Sequence, residues 1–339
     1  MYLIGDIGGT KTYIAIINNL EDGFNPIFEK SFPSKNYESL RTIVKEVIDQ
    51  NNFKIEAACF GVAGPVKNGR CEATNLPWII DSKKIAEVLN IDSKLVYLLN
   101  DLEAAAYAIE VLSEKDLFVV NKGEEQKNGT RALISAGTGL GESIIVWDGK
   151  KYKPIPSEGG HTDFAPRNKI EIDLLTFLMN KYGRVSYERI LCGPGLTNVY
   201  EFFKKTSYQD ISSWLMDRIK NEDPSAVISE IGMSKKDEAC EKALDIFVSV
   251  YGAEAGNLAL TALSTGGLYI GGGIAPKILD KLKEGAFMQS FTNKGRLSVM
   301  VSHMPVKVIL NDKHPLLGCI NYLFHTTNSN QKEKVTTKL

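Results

Sequence analysis

Cysteine is scarce in this sequence, and neither sign of charge prevails. The five cysteines, Cys59, Cys71, Cys192, Cys240 and Cys319, are odd in number and widely spread, and no two form the C-x-x-C pair that a zinc site or redox couple needs. Reduced thiols are the expectation. Lys and Arg number 40 against 41 Asp and Glu, so no net positive field exists to hold nucleic acid or an anionic membrane. A signal peptide is also missing. Met1-Tyr2-Leu3-Ile4-Gly5-Asp6 has no basic n-region and brings an acid where apolar length is required, which predicts a cytoplasmic protein. Long uncharged runs are rare. Ala255 to Pro276 approaches the ~20 residues of a bilayer span, but Gly256, Asn257, Thr261, Ser264, Thr265, Gly266, Gly267 and Gly271 to Gly273 make a poor lipid-facing helix. It reads as a buried helix and then a buried strand ending at a glycine loop.

What is present is enough for a large core. At 339 residues the chain exceeds what one hydrophobic core usually organises, which predicts about two domains and a cleft between them. The hydrophobic share of 43% and charged share of 24% are ordinary for a folded protein. Tyr2-Leu3-Ile4-Gly5-Asp6-Ile7 and Tyr13-Ile14-Ala15-Ile16-Ile17 read as strands joined by Gly8-Gly9-Thr10-Lys11-Thr12, so a β-hairpin starts the fold. Residues 37–50 have helical periodicity. Ala57 to Val62 and Leu95 to Leu99 read as buried strands, the second ending at Asn100-Asp101 before a helix from Leu102 to Leu112. A second strand, glycine turn and strand follow at Ala132 to Ser135, Gly137-Thr138-Gly139-Leu140-Gly141 and Ser143 to Trp147. Both hairpins carry a Gly-Thr pair at the turn, an internal repeat that predicts two phosphate-facing turns, one per domain. From Ile170 the pattern is largely helical, including Glu238 to Leu263, until strand Leu268 to Ile270 meets Gly271-Gly272-Gly273. The residues from Thr326 are polar, which predicts a disordered tail.

Glycines allow a backbone to approach phosphate and present several N–H donors to it. The first loop nearly matches a P-loop, G-x-x-x-x-G-K-[ST], but Thr10 stands at the position of its second glycine, and a strand follows where a P-loop opens a helix. Gly271-Gly272-Gly273-Ile274-Ala275-Pro276 likewise fails the dinucleotide fingerprint, because Pro276 occupies its last glycine position. Singly, each loop is most simply a plain turn. The three together are harder to dismiss.

Taken in order, the motifs resemble the actin-like ATPase and sugar-kinase superfamily, and within it the bacterial glucokinases. They are Asp6-Ile7-Gly8-Gly9-Thr10-Lys11-Thr12, Gly61-Val62-Ala63-Gly64-Pro65-Val66, Thr74-Asn75-Leu76-Pro77-Trp78, Leu99-Asn100-Asp101-Leu102-Glu103-Ala104, Ser135-Ala136-Gly137-Thr138-Gly139-Leu140-Gly141, Glu158-Gly159-Gly160-His161, Ser186-Tyr187-Glu188-Arg189-Ile190-Leu191 and Gly271-Gly272-Gly273-Ile274. Related kinases and repressors with a zinc-binding C-x-C-G-x-x-G-C element are excluded, since no cysteine follows His161 until Cys192. The resemblance implies a two-domain α/β fold of mixed sheets flanked by helices with an interdomain cleft. Its small domain would span residues 1–110 plus 314–325 and its large domain 111–313, with 326–339 as the tail.

The resemblance also implies an activity: transfer of the γ-phosphoryl group of ATP to the 6-hydroxyl of glucose. Asp101 would be the catalytic base, as a sugar hydroxyl needs a group to take its proton. From the residues alone, Asp101 is equally a cap for the helix that follows. Sugar recognition calls for amides, carboxylates and an imidazole converging on one pocket. By resemblance these are Asn100, Asp101, Glu158, His161 and Glu188, with Asn75 as a further carry-over. Glu188 has an alternative use at a helix start after Ser186, and Glu158 as a solvated loop acid. Asp6 would organise Mg²⁺ through water. Gly8, Gly9, Thr10, Gly137, Thr138 and Gly139 would cradle the phosphates, with the Thr10 and Thr138 hydroxyls donating to them, and Gly271, Gly272 and Gly273 would border the adenosine. Lys11 reads as a surface charge. Related enzymes imply a homodimer, and no nucleic-acid or membrane partner is expected. The alternatives are a kinase of another hexose or amino sugar and a sugar-sensing regulator on the same fold, the latter disfavoured by a chain that opens directly on its first strand, without a DNA-binding helix-turn-helix.

Overall fold

The β-branched, apolar opening of the chain forms strands because such side chains pack well on a pleated, buried surface. The computed structural model describes residues 1–206 and 212–336. Two units divide the chain: Met1–Ser113 with the segment from Lys313, and Glu114–Asp312.

In the first unit, β1 (Tyr2–Ile7) and β2 (Lys11–Ile17) form the expected antiparallel hairpin, with Asp6 opposite Tyr13. The edge strand β3 (Pro26–Pro33) extends it. Helix α1 (Leu40–Asn51) begins where the Ser39 hydroxyl accepts from the Thr42 N–H and ends at the left-handed Asn52. It buries Leu40, Ile43, Val44 and Val47, the spacing of a single helical face. Strand β4 (Ala57–Val62) is buried at every position, as a central parallel strand must be. A small antiparallel sheet of β5 (Val66–Lys67), β6 (Arg70–Glu72) and β7 (Ile79–Asp81) follows, then α2 (Ser82–Leu89), β8 (Val96–Asn100) and α3 (Asp101–Ala108). The main sheet has the order β3-β2-β1-β4-β8. Its strands β1, β4 and β8 are parallel, with Ile7 beside Val62 and Val62 beside Asn100. Their carboxyl ends therefore share one edge, the usual ligand edge of such sheets. Asp6 and Asp101 both lie there.

The second unit contains β9 (Leu117–Asn121), the hairpin β10 (Arg131–Ala136) and β11 (Leu140–Trp147), and β12 (Tyr152–Ser157). Helices α4 (Lys169–Tyr182), α5 (Gly193–Thr206), α6 (Ser213–Asn221), α7 (Pro224–Met233) and α8 (Glu238–Ala262) precede β13 (Leu268–Gly271). Short helices α9 (Leu279–Lys283), α10 (Ala286–Thr292) and α11 (Ser298–Ser302) lead to β14 (Val306–Ile309). The sheet order is β12-β11-β10-β13-β14-β9. Setting β9 aside, the strand order and directions repeat those of the first unit: two antiparallel pairings, then two parallel ones. The internal repeat read from two glycine turns thus extends to five strands.

The uncharged segment from Ala255 to Pro276 is the C-terminal end of α8, then β13 and the glycine loop after it. Tyr251, Ala255 and Ala259 are fully buried. A side chain at Gly252 or Gly256 would strike the Phe287 or Phe291 carbonyl at 2.1 and 2.5 Å, so those glycines let α10 lie close against α8. Among the described residues no helix is long and apolar enough to cross a membrane. All five cysteines are buried and unpaired.

The last helix, α12 (His314–Thr336), packs in the first unit. Leu316, Cys319, Ile320 and Leu323 join Ile4, Cys59, Ala104 and Tyr107 in one buried cluster. Tyr322 meets Tyr97 and Tyr107 edge-on. The helix continues past Thr326, where polar composition had suggested a tail, and the Thr326 and Thr327 hydroxyls donate to the carbonyls one turn back at 2.8 Å. Residues 337–339 of that expected tail lie outside the described residues.

Candidate active site

In the first unit the decisive residue is Asn100. Its Oδ1 accepts from the Leu102 N–H at 3.0 Å and its Nδ2 donates to the Gly64 carbonyl at 3.1 Å. Asn100 is the N-cap of α3, and the helix starts at Asp101, one residue before the sequence suggested. Three positions on, the Glu103 carboxylate accepts from the Asn100 backbone N–H. The arrangement is a variant of the capping box in which the Asn100 side chain takes the Leu102 N–H rather than that of Glu103, and Asp101 Oδ1 shares the same Leu102 N–H at 2.9 Å. The Asn100 side chain is also hydrogen-bonded to the Asp101 carboxylate, so what it keeps for a ligand is one lone pair on Oδ1.

The Asp101 side chain reaches solvent, yet the surrounding protein strips enough water to raise its carboxyl above the usual carboxylate range, against the opposing pull of the Leu102 N–H. Asp6, half-buried on β1, is pushed up to about 6, first by burial and then by the negative charge of Asp101. The turn between β1 and β2 is tied down by Gly8 N–H to Lys11 O at 3.0 Å and by Ser34, which donates from its backbone to Thr10 O and from its hydroxyl to Gly8 O. The exposed Asn75 lies against this turn, and a Cβ on Gly9 would come within 2.7 Å of the Asn75 Cβ. Thr10 and Lys11 are exposed.

In the second unit, Gly137 N–H donates to Gly139 O and Gly193 N–H to Gly137 O, both at 2.9 Å, which fixes the turn with Thr138 exposed at its tip. The third glycine loop lies beside it. Ile274 N–H donates to Ala136 O at 3.3 Å, and Gly272, at φ +82, leaves only 2.2 Å between an added Cβ and that same oxygen. Gly271 is buried at the end of β13, opposite Ser135, and Gly273 is exposed.

Glu158 precedes and His161 ends a single 3-10 turn, Gly159–His161, closed by His161 N–H to Glu158 O at 3.0 Å. Glu158 is exposed. Glu188 sits in a second such turn, Tyr187–Arg189, where Ser186 makes no cap. Instead of serving a helix start, Glu188 Oε2 accepts from the Leu140 N–H at 3.0 Å, at the base of the Gly137–Gly139 turn. Its Oε1 faces His161 Nδ1 at 3.9 Å, wider than a hydrogen bond. The two turns are stitched together by Tyr187 N–H to Thr162 O at 3.0 Å and by Arg184, which binds the His161 carbonyl at 2.8 Å and Asp163 at 2.7 Å. Glu158, His161 and Glu188 thus come together, beside the Gly-Thr turn. Sequence reasoning missed Ser34, which anchors the first turn, and Glu103, whose spacing from Asn100 was the available signal.

Repeated five-stranded sheets, each with a glycine turn at its hairpin, and a carboxylate at the end of β8 define a sugar kinase of the actin-like ATPase fold. The glucokinase structure from an Antarctic psychrotroph superposes with a TM-score of 0.80 at 28% identity, covering 96% of this chain and 98% of that one. That of Balamuthia mandrillaris glucokinase in complex with glucose gives 0.79 at 18% identity, covering 95% of this chain and 92% of the other, a likeness of fold alone. The sequence profile described as Glucokinase matches residues 3–326. Glucokinase of Nostoc punctiforme is 38% identical over 333 residues, covering 94% of this chain and 97% of that relative. The chain belongs to the glucokinase family, and its activity is that of an ATP-dependent glucose kinase.

Proposed function

We propose that the chain passes the γ-phosphoryl group of ATP to the 6-hydroxyl of D-glucose, with Asp101 taking the hydroxyl proton. The observation that carries this is the division of labour at the start of α3: Asn100 and Glu103 cap the helix, and Asp101 stands at the sheet's ligand edge with a carboxyl raised by burial. A raised carboxyl is a better proton acceptor, provided it is ionised at the working pH. Phosphoryl transfer asks for little covalent chemistry from the protein, so positioning and charge neutralisation carry most of the catalysis. Glu158, His161, Glu188, Asn100 and Asn75 are assigned to the sugar. The Gly8–Thr10 and Gly137–Gly139 turns are assigned to the phosphates, and Gly271 to Gly273 to the adenosine.

The residues present suit Mg²⁺. Burial first, and then the like charge of Asp101, lifts the Asp6 carboxyl to about 6, and among the described residues no group of three or more His, Cys, Asp or Glu forms a metal cage. A single acid that holds the ion through water fits a cation reluctant to dehydrate. Bound there, Mg²⁺ would neutralise phosphate charge, and Asp6 would orient its water shell. The enzyme is assigned to the cytoplasm as a homodimer at the entry to glycolysis, with light scattering as the check on assembly.

Asp101→Asn tests the base. Turnover is expected to fall roughly 100-fold to 10,000-fold with glucose binding retained, whereas undiminished turnover sinks the mechanism. A matrix of initial rates over phosphoryl donors and hexoses or amino sugars tests the substrate assignment. It fails if another sugar or donor gives the highest kcat/KM.

A further inference from the structure

Two acids that the mechanism does not use are buried beneath the proposed sugar contacts. Glu142 on β11 is 4% exposed and Glu254 on α8 is 5% exposed. Their carboxyls are within hydrogen-bonding reach of each other. Glu142 Oε1 is buried without a hydrogen-bond donor. Two carboxylate oxygens both accept, so such a contact requires a proton on one of them.

The groups around the pair allow one proton and no more than one net charge. Glu254 accepts from Asn257 Nδ2 at 2.8 Å and is hydrogen-bonded to the Tyr187 hydroxyl, which Asn257 Nδ2 also meets at 3.1 Å. Lys294 Nζ donates to Asn257 Oδ1 at 2.6 Å and to Ala253 O at 2.8 Å, and its charge acts on Glu254. Arg167, the other cation nearby, is already paired with the fully buried Glu171 at 2.6 Å. The buried Tyr251 hydroxyl completes the surroundings on the α8 side. One ammonium balances one carboxylate, which leaves the second acid neutral.

Both acids touch the turns that carry the sugar contacts. A Cβ at Gly159 would come within 2.1 Å of Glu142 Oε2, so the Glu158–His161 turn rests directly on that carboxyl. Tyr187, hydrogen-bonded to Glu254, immediately precedes Glu188 in the second turn. We propose that Glu142 and Glu254 hold one proton between them and act as positioning residues, fixing through Gly159 and Tyr187 the two turns that present Glu158, His161 and Glu188 to the sugar. The proposal rests on the assignment of those three residues to the sugar. Burial and the like charge of Glu254 push the Glu142 carboxyl up to about 8, and burial also raises Glu254. Above about pH 8 the shared proton leaves. Two charges then face each other with little water between them, and the turns they hold separate.

The test is steady-state kinetics on the full-length enzyme from pH 6.5 to 9.5 at saturating ATP. The wild-type KM for glucose is expected to rise about tenfold between pH 7 and pH 9, the loss expected when about a tenth of the protein keeps the binding-competent protonation state, while kcat changes far less. Lys294 is itself brought down to about 8, chiefly by burial, so the wild-type rise alone does not assign the group. Glu142→Gln removes only the carboxyl titration and keeps a donor toward Glu254, and in it the rise is expected to flatten. A Glu142→Gln enzyme that keeps the wild-type rise overturns the proposal, as does a wild-type KM that is flat through pH 8. Glu254→Gln gives the same reading should the first variant fold poorly. Glu188→Gln separates this proposal from its premise. A wild-type KM in that variant overturns the sugar assignment, whereas a raised KM there combined with an unflattened Glu142→Gln profile overturns the shared proton alone.

Discussion

Asp6 shows how burial and one neighbouring acid set a single residue's affinity for its proton. Its carboxyl is raised from the ordinary value to about 6. The native state therefore binds a proton more tightly than the unfolded chain does, and the stability this confers is present at low pH and declines as pH rises toward 6. Asp6→Asn removes the titration. It should raise Tm at pH 7 relative to wild type and lose that advantage near pH 4, as checked by thermal melts at both pH values. The same variant should need roughly 10–100-fold more Mg²⁺ for half-maximal rate, the usual loss when a group orienting a metal's ligands is removed. A second prediction concerns the base. Because burial raises the Asp101 carboxyl, kcat/KM should fall on acidification at a pH above the ordinary carboxylate range near 4. A pH profile that stays flat down to pH 4 would contradict that assignment.

At the scale of the element, the start of α3 shows how two residues outside and inside a helix share its capping. The Asn100–Glu103 box satisfies the first turn, so Glu103→Ala should lower stability by about 1 kcal/mol. Glu103→Gln, which keeps an acceptor, should restore most of it. Denaturant midpoints distinguish the two, and equal losses would mean that Glu103 acts by charge alone. The spacing Asn100-x-x-Glu103, overlooked when the helix start is read at Leu102, was legible in the sequence. Which acid caps and which stays available was not, because Asp101 and Glu103 are equivalent until the backbone of β8 fixes the N-cap at Asn100. Similarly, the acids in Glu158-Gly159-Gly160-His161 and Ser186-Tyr187-Glu188 stand out only as motifs. The short turns that hold them are fixed by contacts from β11 and from each other.

For the molecule as a whole, the return of α12 to the first unit matters most. Leu316, Ile320 and Leu323 are nearly or fully buried there, and burial of each is worth about 1.5–3 kcal/mol. Their sum is comparable to the entire stability of an ordinary domain. Truncation after Asp312 is therefore expected to unfold the first unit and abolish phosphoryl transfer. Trp78, 2% exposed and bonded through Nε1 to Tyr37 O, reports that loss by fluorescence. A truncated chain with wild-type turnover would refute the expectation.

By itself the sequence determined the hairpins, the glycine turns, the α8–β13 segment and the order of motifs that marks the family, because turn chemistry and hydrophobic periodicity are written in short windows. It also excluded a zinc element. Only the tertiary structure decided the five-strand repeat, the course of α12, the capping of α3 by Asn100 and Glu103 and the meeting of Glu142 with Glu254. Those depend on strand pairing and on burial. Burial gives an acid a raised affinity for its proton, and the folded chain alone sets which acids are buried together.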